Sequence, residues 1–333
     1  MGGEAYMARI VVPKSRLKEL VESWIRNYRV AAPVRNSGKL VFEEINAFSD
    51  IVLDDGLAYK SPKEYLFPQV EKIMSFGENA VRTHAPDRKT VFFGVRPCDL
   101  EALKVMTAVF TKGKFVDTYF EKNLNNTILA GIGCLTEKAG CFCGDRGLDR
   151  SCSSACDIFF SDVGEAYTVE TFTKKGAALL NGFQFEEAPS PASAAEKAGS
   201  GEVLEINADE NDLFNKIDWA NISEKCLGCG ICTFICPTCH CFEFKDTIDG
   251  GEPARYRCWD SCMYPKFTLH ASGHNPRASK KERYRQRIMH KYLYVKQNFG
   301  YTACTGCGRC IRSCPAGMNI KAVVTEIVES LKG

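Results

Sequence analysis

The sequence predicts a multidomain α+β chain, with an N-terminal α/β domain over residues 1–205 and an α-helical domain over residues 206–333. Three observations predict it. Two strand-sized apolar runs, Val91–Val95 and Thr127–Gly133, bracket a helical pattern, which is the signature of a βαβ unit. Beyond residue 205, two similar cysteine motifs flank a long stretch with helical periodicity. Between these regions Glu186–Gly201 is rich in Pro, Ala, Ser and Gly, and reads as a linker or exposed loop at the boundary.

The elements follow in order. Lys14–Arg29 is an amphipathic helix, with Leu17, Leu20, Val21, Trp24, Ile25 and Tyr28 on one stripe. Ser61-Pro62-Lys63-Glu64 is a capping box that starts a second helix towards Phe76. Val91–Val95 is a buried strand ended by Arg96-Pro97. Asp99 then caps a helix that carries Leu100, Leu103 and Met106 into the core. Thr127–Gly133 is the second strand, made parallel to the first by a right-handed crossover. Ser279–Phe299 is a helix with Tyr284, Ile288, Tyr292, Val295 and Phe299 on one side. Asn319 caps a last helix whose apolar stripe runs from Ile320 to Leu331.

Bulk properties exclude several classes. The net charge of +2 sets up no global field for nucleic acid or an anionic membrane. The longest apolar runs are strand-sized, too short to span a bilayer. Met1–Pro13 lacks the pattern of a signal peptide. The expectation is a cytoplasmic protein. Its 18 cysteines then point to metal, because disulfides are rare in a reducing cytosol.

The first cysteine motif holds Cys226, Cys229, Cys232 and Cys236 followed by Pro237, and the second holds Cys304, Cys307, Cys310 and Cys314 followed by Pro315. Both have the spacing C-x-x-C-x-x-C-x-x-x-C-P, the run of two-cluster ferredoxins, in which the fourth cysteine ligates the other cluster. The spacing therefore predicts one 4Fe–4S cluster on Cys226, Cys229, Cys232 and Cys314, and a second on Cys304, Cys307, Cys310 and Cys236. Zinc and disulfides are the alternatives, but zinc sites usually show two separated cysteine pairs. The 68 positions from Cys236 to Cys304 favour a helical dicluster ferredoxin domain over the compact β/α form. The last helix should pack over the second cluster.

Cys98 and Cys134 each follow one of the two strands, and Cys141-Phe-Cys143 follows on the next loop. Ligands collect at the carboxyl ends of strands in open α/β sheets. These four thiols are candidate ligands of a third 4Fe–4S cluster, with buried free thiols or zinc as the alternative. Cys152 and Cys156 rank below them as ligands. Cys239, Cys241, Cys258 and Cys262 are read as packing around the first cluster and donating hydrogen bonds to its sulfurs, a metal site being the other reading. The stretch Arg277–Lys296 has eight Lys/Arg and one acid, Glu282. It is either a solvated helix face or a dock for an acidic partner protein.

The whole set of motifs resembles a known family. Ser-Pro-Lys-Glu-Tyr-Leu-Phe-Pro from Ser61, Phe-Gly-Val-Arg-Pro-Cys-Asp from Phe93 and Cys-Phe-Cys from Cys141 carry the likeness. So do Cys-Pro-Thr-Cys-His-Cys-Phe from Cys236, Trp-Asp-Ser-Cys from Trp259 and Gly-His-Asn-Pro-Arg from Gly273. Over nearly its whole length the chain looks like the beta subunit of cytoplasmic nickel–iron sulfhydrogenases, which is similar to the iron–sulfur subunit of anaerobic sulfite reductase. The resemblance implies an electron-relay subunit between a flavin subunit that handles NADH or NADPH and a catalytic redox subunit. Related relays serve heterodisulfide-reductase-type complexes. The family pattern includes positions matching Cys98, Cys134, Cys141 and Cys143, and omits Cys152, Cys156 and Cys258.

No G-x-G-x-x-G follows a strand and opens a helix, so flavin and nicotinamide are expected on a partner. Two other functions compete with the relay. The N-terminal domain could bind a small-molecule substrate near Arg96, Cys98 and Asp99, making the chain an enzyme. The chain could also be an iron–sulfur sensor, though no DNA-binding element accompanies the clusters.

Overall fold

A computed structural model describes residues 8–53, 56–77, 80–84, 89–189 and 203–332. Most of the expected linker, residues 190–201, lies outside the described residues. The strands in chain order are β1 (Ala8–Pro13), β2 (Arg29–Asn36), β3 (Lys39–Glu44), β4 (Val70–Phe76), β5 (Val81–Thr83) and β6 (Thr90–Val95). They continue as β7 (Thr127–Ile132), β8 (Ile158–Asp162), β9 (Ala166–Thr171), β10 (Glu186–Glu187), β11 (Phe242–Asp249) and β12 (Glu252–Trp259).

Eight strands form one sheet in the order β10-β1-β9-β8-β7-β6-β2-β3. Its centre, β2-β6-β7-β8, is parallel, and its flanks are antiparallel. β6 and β7 are buried along their whole length because both faces are covered. Alternation splits their side chains between two cores. Val91 and Phe93 join Trp24 and Leu20 of the helix Lys14–Asn27 on one face. Phe92 and Leu129 join Leu100, Leu103 and Met106 of the helix Pro97–Thr111 on the other. The N-terminal domain is thus α/β, and β6 and β7 are the expected parallel pair.

Two local expectations change. The capping box at Ser61 starts only the short helix Lys63–Leu66, and residues 70–76 become β4. Asp99 does not cap its helix; Arg96 holds the N-cap position and Asp99 lies in the first turn. Its carboxylate is committed elsewhere, as described below.

The chain beyond residue 205 is not helical throughout, since it contains the hairpin β11–β12. That hairpin pairs through β12 with β4, giving a second sheet in the order β11-β12-β4-β5. This sheet draws strands from both sides of residue 205. Arg257 on β12 is buried and pairs with Glu71 on β4, Nε to Oε2 at 3.1 Å, and with Asp117. The long C-terminal helix runs from Lys280 to Phe299 with a π-helical turn at His290–Tyr294. The last helix, Ile320–Lys332, is capped by Asn319, whose Oδ1 accepts from the Lys321 and Ala322 amides.

Candidate metal centres

The first group of thiols lines one pocket. Cys226, Cys229 and Cys232 of the first motif meet Cys314 of the second there, with Arg287 and Tyr284 behind them. The loop reaches this shape through Gly228 and Gly230, both at positive φ. Backbone amides already point at two of the sulfurs: Gly228 N lies 3.4 Å from Cys226 Sγ and Met318 N 3.3 Å from Cys314 Sγ. Ile320 lines the same pocket, so the last helix starts beside this first group. The sequence placed it over the second. The difference follows from Cys314, which leads into that helix and turns to the first group.

The second group is Cys304, Cys307 and Cys310 with Cys236. Burial pushes the Cys310 thiol up to about 12, with Cys236, Cys307 and Cys304 nearby adding to the rise. Burial likewise pushes Cys307 up to about 11. Cys236 is the exception, held well below the usual thiol range by a hydrogen bond from the Cys239 thiol and by Lys291. Lys291 Nζ donates to Cys236 Sγ at 3.1 Å, Thr238 Oγ1 at 2.9 Å and the Ala303 carbonyl at 3.0 Å.

The thiols expected to form a third group lie at and beyond the ends of two parallel strands. Cys98 follows β6 and Cys134 follows β7. Arg96 ties the two strand ends together by donating to the Gly133 carbonyl. Burial raises Cys98 well above the usual thiol range, and Cys307 and Cys134 are among the neighbours that raise it further. Burial raises Cys143 to about 12, with Cys141 and Cys134 adding to it. Cys134 thus lies within electrostatic reach of both Cys98 and Cys143, and Cys307 of the second group within reach of Cys98.

The third group is docked on the second by backbone. Phe142 N donates to the Gly306 carbonyl at 2.8 Å, and Cys141 Sγ donates to the Cys307 carbonyl at 3.3 Å. A Cβ on Gly306 would lie 2.6 Å from Cys143 N, and one on Gly308 would lie 2.2 Å from the Gly140 carbonyl oxygen. Between Cys307 and Cys310, Arg309 is 1% exposed and forks onto Asp99, at 2.6 and 2.8 Å, and onto the Ala58 carbonyl at 2.8 Å. This is where the Asp99 carboxylate is used.

Sequence reasoning missed the buried cations. In the basic stretch, Arg283, Arg287 and Lys291 are buried rather than solvated. Arg287 and Lys291 face the first two groups, and no carboxylate among the described residues pairs with either. Their spacing of four residues, in register with Tyr284 and Ile288 on the apolar stripe, was the available signal. Arg287 Nε and Thr305 Oγ1 are buried with no hydrogen-bond partner among the described residues. Unpaired buried cations and donors are costly unless anions and acceptors face them. Thiolate-ligated iron–sulfur clusters supply both, so the residues fit the group. Among the described residues no three Cys, His, Asp or Glu side chains converge tightly enough for a single metal ion.

The remaining cysteines separate. Cys152 is exposed and hydrogen-bonds Asp149, while Cys156 is buried in the core beside Leu129 and Phe159. Cys258 sits on β12 opposite Glu243. Cys239, expected to pack around the first cluster, lies beside Cys236, whose thiol raises it well above the usual range together with burial.

A family model for the 4Fe–4S dicluster domain matches residues 225–318, the span of both motifs. The sulfhydrogenase 2 beta subunit of Pyrococcus furiosus is 32% identical over 322 residues, covering 91% of this chain and 93% of the relative. The chain belongs to the sulfhydrogenase beta-subunit family. It is an iron–sulfur electron-transport protein of an oxidoreductase, with a C-terminal domain for two 4Fe–4S clusters. No solved structure matches it. Among the described residues no helix is long and apolar enough to cross a membrane.

Proposed function

We propose that this chain is the electron-relay component of a multisubunit oxidoreductase, with its thiol groups in series. In this reading Cys226, Cys229, Cys232 and Cys314 hold one cluster, and Cys304, Cys307, Cys310 and Cys236 hold the next. Cys98, Cys134, Cys141 and Cys143 hold a third 4Fe–4S cluster. Each bound cluster supplies a one-electron carrier. The observation that supports the series is the backbone docking of Phe142 on Gly306, which sets the third group against the second. Cys236 and Cys314 cross between the first two.

The protein's own residues set the conditions. Arg287 and Lys291 place positive charge where negative charge collects, which favours the reduced state. Arg309 and Asp99 lock the two domains at the junction. The flavin and NAD(P)H chemistry belongs to one partner and the terminal reaction to another, of hydrogenase, sulfite-reductase or heterodisulfide-reductase type.

The test is iron and acid-labile sulfide per chain on anaerobic protein, comparing wild type with Cys143→Ser and Cys229→Ser. Each variant should lose about four irons. An unchanged count in Cys143→Ser would remove the third cluster and confine the wiring to the C-terminal domain. A flavoprotein should accompany the chain through anaerobic purification, and isolation of a fully active single chain would refute the relay.

A further inference from the structure

The three thiol groups differ in how they meet the surface. Of their twelve cysteines Cys229 alone is exposed, while Cys236, Cys307, Cys98 and Cys143 are buried. Cys229 and Ile231 line the pocket of the first group. The same two residues also line a second recess of about 300 Å³, whose lining holds no other thiol. Tyr59, Phe234 and Tyr264 wall that recess. Tyr264 is pressed against the motif loop. Its Oη donates to the Cys229 carbonyl at 3.4 Å, and its ring lies 2.8 Å from where a Gly230 Cβ would stand. On the loop itself Leu227 is 69% exposed and Ile231 37%.

The charge around this loop has an excess of one sign. Lys225 precedes the motif, and Lys266 follows Tyr264 by two residues. Both are exposed, and no carboxylate among the described residues pairs with either. Lys280 Nζ donates to the Glu224 carbonyl at 2.6 Å, which sets it beside Lys225. Lys60 lines the recess and is taken up by Glu64 at 3.4 Å. Lys60 and Glu64 cancel, which leaves three lysines against Glu224.

The plainest reading is a solvated loop, since scattered exposed apolar side chains are ordinary. The position of this one argues against it. Tunnelling weakens exponentially with distance, so an electron crosses between proteins only at short range. A relay must therefore bring at least one centre to its surface. The loop of Cys229 combines an exposed thiol of such a centre, an apolar collar and a recess that can take a partner's side chain, with charge on the rim. Rim charge of one sign selects a partner of the other and speeds the encounter.

We propose that the Cys229 loop is an electron port of this chain, docking a one-electron redox protein that presents an apolar knob ringed by carboxylates. The proposal rests on the relay reading above and names the chemistry of the partner at the first group.

The experiment is stopped-flow oxidation of the dithionite-reduced, desalted anaerobic chain by cytochrome c. The probe is used in its native basic form and in a succinylated form, which keeps the haem and has an acidic surface. At low ionic strength the acidic form should react about tenfold faster than the basic one, and salt should close the gap. Leu227→Glu and Lys266→Glu should each slow the acidic form about tenfold while keeping wild-type iron. Lys18→Glu, on the helix Lys14–Asn27, makes the same change in net charge as Lys266→Glu and should leave the rate near wild type. Should Leu227→Glu lose iron, Lys266→Glu, outside the ligand loop, decides. A faster reaction with the basic form, or equal rates in Lys266→Glu and Lys18→Glu, would overturn the proposal. The relay reading fails differently. Unchanged iron in Cys229→Ser would remove the first cluster and the port with it, whereas about four irons lost there, with wild-type rates in the port variants, would refute the port alone.

Discussion

Gly308→Ala tests the docking of the two domains. The new Cβ would stand 2.2 Å from the Gly140 oxygen, 2.5 Å from its carbonyl carbon and 2.8 Å from the Cys141 amide nitrogen, all backbone atoms. Ordinary contact begins near 3.4 Å, so one loop must retreat by more than an ångström. Gly308 also sits at φ +70°, where a side chain costs about 1–2 kcal/mol. Overpacking adds about 1–3 kcal/mol more. Gly182→Ala is the control, at φ +85° with nothing within 4 Å of its Cβ. Urea unfolding of the anaerobic proteins should show a loss of about 1–2 kcal/mol for the control and about 2–5 kcal/mol for Gly308→Ala. Cluster–cluster magnetic coupling in the reduced EPR spectrum should weaken only in Gly308→Ala. Equal losses and unchanged coupling in both would show that glycine is needed there for its backbone angle alone, and the docking argument would fail.

Other substitutions probe the buried charges. Asp99→Asn leaves Arg309 buried without a full counter-charge and should cost about 3–5 kcal/mol in the same unfolding assay, whereas Asp99→Leu with Arg309→Met should cost less. Lys291→Met removes the ammonium from Cys236 and should move one dicluster midpoint to more negative potential in an EPR redox titration. His240 and His290 are held neutral by burial, with folded values lowered to about 4 and about 3. Their unfolded values lie near 6.5, so the unfolded chain binds more protons below that pH. Stability should therefore be intact above about pH 6.5 and fall as pH drops towards 4, and His290→Gln should flatten that fall in thermal melts.

How legible each part was depended on whether its cause is local. Cluster spacing is a local constraint, and both motifs of the dicluster domain could be read directly. The βαβ unit was equally open, because β6 and β7 are short continuous apolar runs. β4 was misread as helix because the capping box at Ser61 is a local signal and the pairing of residues 70–76 is not. Its inward positions include Glu71 and Ser75, so no apolar alternation marked it as a strand. Glu71 is tolerated there only because Arg257 arrives from β12. Arg287 and Lys291 were assigned to a basic surface by the rule that charge faces water. The rule fails where buried anionic centres supply the counter-charge, and such centres carry no letter in the sequence.

The strand pairing of β4 with β12 also orders the birth of the molecule. Val70 finds its partner at Cys258, so the first half of the small sheet is made long before the second. Loop closure over such a separation is slow, and until it happens β4 and β5 lack their neighbour. The loop of Phe142 likewise waits for Gly306. Any iron held at the junction can thus be seated only after Gly306 has been made. A truncated chain should fail to mature there, however complete its own cysteine motif.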